Sequence, residues 1–150
     1  MDGVMNYFLK SIWLPFFISL VIIPASLAQS YGQLFTKQEA DAKFGLVLQS
    51  IELSKPTIQN FLSKTNNYIM FRVEGNNVIV LDNKRRVLFP EGEVINSTDT
   101  FSMYSVSVVQ EMLSRANENS VLIEQRNEVL TITFGGFTME VGVRCPPICD

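Results

Sequence analysis

The sequence predicts an α+β fold: two similar β-α-β-β-β units in tandem, set behind a short N-terminal helix. Three observations carry that prediction. The chain repeats itself at a spacing of 51 residues. Each copy contains an apolar stripe of helical period. After each stripe come three short apolar runs parted by turn residues, the pattern of an antiparallel meander.

Shifting residues 54–82 by 51 positions lays "SKPTIQNFLSKTNNYIMFRVEGNNVIVLD" on "SVSVVQEMLSRANENSVLIEQRNEVLTIT". The identical pairs are Ser54/Ser105, Gln59/Gln110, Leu62/Leu113, Ser63/Ser114, Asn66/Asn117, Asn76/Asn127 and Val78/Val129. Chance would give about two. One feature resists the alignment. Ile69, Phe71 and Val73 alternate in the first copy, and Val121 and Ile123 in the second, so this spacing puts them on opposite faces. The duplication therefore requires a bulge in one copy or a looser repeat.

Taken in order, the chain begins with a segment of a different kind. "SIWLPFFISLVIIPASLA" is an apolar run broken at Pro15 and Pro24, with small residues at Ser26 and Ala28. This is the layout of a secretory signal over residues 1–28, cleaved after Ala28, and a retained anchor is the competing reading. Residues 29–150 then form one domain, large enough to bury a core. In "TKQEADAKFG" Thr36 and Glu39 make a capping box, and Gly45 is placed to end the helix.

The first half spans about residues 46–89 and the second about 100–143. "LVLQSIEL" opens the first as a strand; "TFSMYS" opens the second, where a strand and a helix start fit equally. Ile58, Phe61, Leu62 and Thr65 share one helical face, as do Val109, Met112, Leu113 and Ala116. Ser54 is placed to cap the first helix, and Asn66 and Asn117 to end the two helices in left-handed conformation. The meanders are "YIMFRVE", "NVIVLD", "RVLF" and "SVLIEQ", "EVLTITF", "FTMEVG". The polar stretch "PEGEVINSTD" joins the halves, and residues 144–150 form a tail.

Composition excludes several chemistries. The absence of histidine removes Ser-His and Cys-His pairs and imidazole metal sites. No phosphate-binding glycine loop is present. Glu91 and Glu93 are carboxylates close together, but in a turn-rich connection they read as solvated residues. Asp82, Asn83 and Asp99 read as turn and cap residues. Lys84, Arg85 and Arg86 read as a solvated hairpin turn. Asn96 opens an N-x-S/T pattern in a predicted loop. A net charge of −3 argues against nucleic acid or an anionic membrane as partner.

The two cysteines, Cys145 and Cys149, lie in "RCPPICD". Three residues separate them and no helix follows, so this is not a thioredoxin-type motif. Two thiolates supply half a tetrahedral metal site. An extended Pro-Pro would hold the Cα atoms about 12 Å apart, past the ~7 Å reach of a disulfide, so bridging requires a turn, such as one through a cis proline. An intrachain Cys145–Cys149 disulfide is the first expectation, and pairing with another chain the second.

The sequence thus predicts an exported, non-enzymatic protein-interaction or structural module, secreted or periplasmic, with an unidentified protein partner. It predicts no cofactor, no metal, no nucleic acid and no stable membrane insertion once the signal is removed. The alternative is a redox or soft-metal protein using Cys145 and Cys149, joined by a methionine such as Met139.

Overall fold

The computed structural model describes residues 30–140 and 142–146; the predicted signal, Val141 and residues 147–150 lie outside them. The described chain is α+β and mostly strand, with two five-stranded antiparallel sheets and three helices.

A strand comes first, not a helix: β1 (Gln33–Thr36) pairs with a strand near the other end of the chain. The capped segment follows as α1 (Lys37–Phe44). The Thr36 hydroxyl accepts the Glu39 amide and the Glu39 carboxylate accepts the Thr36 amide, so two otherwise orphaned donors are satisfied together.

The first half runs β2 (Val47–Ser54), α2 (Lys55–Leu62), β3 (Tyr68–Glu74), β4 (Asn77–Leu81) and β5 (Val87–Phe89). The second runs β6 (Phe101–Ser105), α3 (Val106–Ser114), β7 (Ser120–Arg126), β8 (Leu130–Phe134) and β9 (Phe137–Glu140). "TFSMYS" is therefore strand, and the helix begins only at Val106. Ser54 caps α2 by accepting the Thr57 amide at 3.2 Å. Neither asparagine ends a helix. The caps are Ser63 and Arg115, both right-handed, with amides turned back to helix carbonyls, so no left-handed residue is needed.

Each leading strand crosses to the sheet of the other half. One sheet has the order β1-β9-β8-β7-β2; the other has β10-β6-β3-β4-β5, where β10 is Val143–Cys145. Thus β2 pairs with β7 through Ser54↔Ser120, and β6 pairs with β3 through Ser105↔Tyr68. The predicted tail starts inside this second sheet, because Arg144 and Cys145 pair with Ser102 and Phe101.

The opposite-face conflict is resolved at the helices. α2 has 8 residues and α3 has 9, and the strands after them start at Tyr68 and Ser120. Ile69, Phe71, Val78 and Val80 lie in one core with Val121, Ile123, Leu130 and Ile132. That core is walled by both sheets and filled by Ile58, Phe61 and Leu62 of α2 with Val109, Met112 and Leu113 of α3. A second apolar cluster covers the far face of the β3 sheet: Tyr31, Met70, Ile79, Leu81, Phe101, Met103 and Cys145.

Candidate functional site

Four strands end the two sheets, and three of them are short. β1 has 4 residues, β5 and β10 have 3 each, whereas β2 has 8. Short edge strands limit unwanted pairing with other chains. β2 lacks that protection. Its register with β7 is regular from Gln49 to Ser54 and shifts between Val47 and Gln49, where Leu48 is the additional residue. Ile51 and Leu53 are half-buried against the main core, while Ser50 and Glu52 are exposed. At the bulged end Leu46 is 75% and Leu48 67% exposed.

A second constellation gathers at the far face of the β3 sheet. Arg85 holds a left-handed backbone (φ 59°), a costly state for a residue that is not glycine. Its guanidinium donates to the Cys145 carbonyl and Sγ, each at 3.3 Å, and to the carbonyls of Asn96 (3.3 Å) and Asp99 (3.0 Å). It also lies over the Phe101 ring at 5.4 Å, as does the Arg72 guanidinium. Lys84 and Arg86 are exposed as a solvated turn requires, but Arg85 is not. It ties β10 and the loop between the halves to one aromatic ring.

Asp82 is fully buried at the start of this turn. Burial acts to raise its carboxyl pKa. The Arg86 amide and guanidinium and the Lys84 amide outweigh burial and hold the group below its ordinary range. Asp99 is also lowered, first by the Asn96 amide and then, against partial desolvation, by Arg72. Asn96 is exposed, and so are Glu91 and Glu93. Tyr104 is fully buried and donates its hydroxyl to the Leu130 carbonyl; burial, with Glu140 nearby, raises its pKa far above the usual phenol range.

Under α1 lies a buried polar layer that periodicity did not reveal. Arg126 is 0% exposed and donates to Asp41 (2.7 Å), the Gly45 carbonyl (2.5 Å), Glu124 (3.2 Å) and the Thr131 hydroxyl (3.2 Å). Glu124 also accepts from Thr131 and Thr133, and Thr133 exchanges a hydrogen bond with Thr138. Every guanidinium nitrogen is used inside the protein, so this layer is structural.

Between α2 and α3 runs a groove of about 460 Å³ lined by Gln59, Leu62, Ser63, Gln110, Leu113 and Ser114, with Lys55 at one end. Three of the seven identical pairs meet here. Lys55 is engaged with the Ala116 carbonyl (3.1 Å) and the Phe134 ring (5.1 Å).

Of the residues proposed for sulfur or metal chemistry, Cys145 is fully buried in the outer cluster, whereas Met139 is buried in the main core. The structure does not bring them together, and among the described residues no group of three or more acidic or cysteine side chains could hold a metal. The Cys145–Pro146 peptide is cis. Cys149 lies outside the described residues. Among the described residues no helix is long and apolar enough to cross a membrane. Comparison with protein-family models, with curated proteins and with solved structures finds no match to this chain.

Proposed function

We propose that this chain is an exported, non-enzymatic protein-interaction module of the cell envelope or the secreted fraction, its signal removed after Ala28. The observation that carries the reading is the open β2 edge. Among the described residues it is the longest strand, it ends a sheet, and Leu46 and Leu48 at its start are exposed. Extended segments bind such edges through main-chain hydrogen bonds, with alternate side chains giving selectivity. A photo-crosslinking residue at Ser50 of the exported protein is expected to capture a protein partner, while the same probe at Phe89 on the β5 edge is not. Equal capture at both positions, or none at Ser50, would overturn the reading.

The two halves read as copies of one β-α-β-β-β unit. Three facts support this: the identities from Ser54/Ser105 to Asn66/Asn117, the reciprocal pairings Ser54↔Ser120 and Ser105↔Tyr68, and the meeting of identical residues between α2 and α3. A residue facing its own counterpart is what an ancestral two-fold contact would leave behind.

A second reading, a redox protein using Cys145 and Cys149, is favoured by one contact. Arg85 places a cation 3.3 Å from the Cys145 sulfur. An intrachain disulfide remains our proposal for the pair. Peptide mapping without reductant tests it, and two free thiols in the exported protein would defeat it.

A further inference from the structure

β2 and β6 hold equivalent places. Each leads directly into a helix, and each pairs on one side with the first strand of the opposite meander, through Ser54↔Ser120 and Ser105↔Tyr68. They differ on the other side. β10 covers β6 in antiparallel register, with Cys145 opposite Phe101, Arg144 opposite Ser102 and Val143 opposite Met103. Among the described residues β2 has no second neighbour. The spacing that relates Ser105 to Ser54 also relates Phe101, Ser102 and Met103 to Ser50, Ile51 and Glu52. The fold itself therefore shows where and in which direction a strand fits on β2.

The chemistry of the two places is not the same. On β6 the outward positions are Phe101 and Met103, buried in an apolar cluster with Val143 packed against it. On β2 they are Ser50 and Glu52, both exposed, while Ile51 and Leu53 turn toward the main core and are only half-covered. We propose that the Gln49–Ser54 edge of β2 accepts an extended segment of a partner protein in antiparallel register, with a basic residue opposite Glu52 between apolar residues opposite Leu53 and Ile51. This deepens the interaction-module reading and rests on it.

Apolar neighbours on the inward side extend the core over Ile51 and Leu53, and the cation meets the one charge on the strand. The bulge at Leu48 closes one end of the acceptor stretch, and the start of α2 at Lys55 closes the other. A second copy of the chain fits poorly. The strand "VLQSIELS" contains no lysine or arginine, so an antiparallel β2–β2 pair gives Glu52 no cation.

The test uses the signal-free chain and two acetylated, amidated hexapeptides, TVKVTT and TVEVTT, at low salt. The expected result is slower amide exchange within Gln49–Ser54 and unchanged exchange in β5 on adding TVKVTT, with TVEVTT binding several-fold more weakly. Glu52→Lys, with unchanged thermal unfolding as the check that it folds, is expected to reverse the preference. Equal binding of both peptides to the wild-type chain, or protection elsewhere than β2, would overturn the proposal. So would protection, without peptide, of the β2 amides that point away from β7, with sedimentation distinguishing a second copy from another stretch of the same chain. Failure of both peptides while the Ser50 crosslink captures a partner would reject the assigned chemistry alone. Binding of TVKVTT without any crosslinked partner would keep that selectivity and reject the interaction-module reading.

Discussion

β3 and β7, the strands that follow α2 and α3, each carry an arginine and a glutamate two residues apart, in opposite order, and the fold treats them differently. On β7, Glu124 and Arg126 are 3% and 0% exposed at the side chain, under α1 and among threonine hydroxyls. On β3, Arg72 and Glu74 are 23% and 58% exposed, at the rim of an apolar cluster. The difference teaches that the energy of an ion pair belongs to its surroundings. A buried pair strongly penalises loss of one member, and an exposed pair contributes little.

Arg126→Ala is the most direct way to break this comparison. It leaves Glu124 buried without its cation, and the expected cost is about 3–5 kcal/mol in urea unfolding. A loss under about 1 kcal/mol would mean that water enters beneath α1.

Leu62 of α2 and Leu113 of α3 are 5% and 3% exposed. Each leucine-to-alanine change is expected to cost about 2–5 kcal/mol. The double variant should depart from additivity, since the two side chains line one groove.

Asp82→Asn probes the turn that anchors Arg85. Loss of the charge-assisted bonds is expected to cost about 1.5–3 kcal/mol at neutral pH. Because folding lowers the Asp82 pKa, its stabilisation is present above the unfolded value of 3.8 and is lost as pH falls through the folded value. The variant should therefore show a flatter acid limb, and an identical limb would remove Asp82 from the account.

The smallest effect is expected on β3. Glu74→Ala should change stability by less than about 1 kcal/mol, and less still at high salt.

Much of this architecture was legible in the sequence. The capping box at Thr36 and Glu39, the apolar stripes of α2 and α3 and the turn-parted meanders are local patterns, set by neighbours a few residues apart. What escaped was non-local. That β2 joins β7 and β6 joins β3 depends on where the halves dock, and no local period encodes it. Arg85 read as a solvated turn residue because its partners, Cys145, Asn96 and Asp99, are distant in sequence and mostly main-chain carbonyls. Glu124, Gln125 and Arg126 form a polar run of the kind found at the surface, and only α1 overhead makes Glu124 and Arg126 interior. The length of β2 was visible, but its place at an edge was not.

The pairing of β1 with β9, Gln33 opposite Glu140, sets an order in time. In a chain appearing N-terminus first, β3, β4 and β5 can join as soon as each is released, because their partners are adjacent. β2 must wait for Ser120–Arg126, and β1 for Phe137–Glu140. Throughout that interval β2 displays two open edges, with Leu46 and Leu48 beside them. Native contacts between such distant segments form late, and unpaired strands are the surfaces through which incomplete chains adhere to one another. The second half is thus the closing clasp of the first, and the period before it arrives is when the nascent chain is most exposed to misassociation.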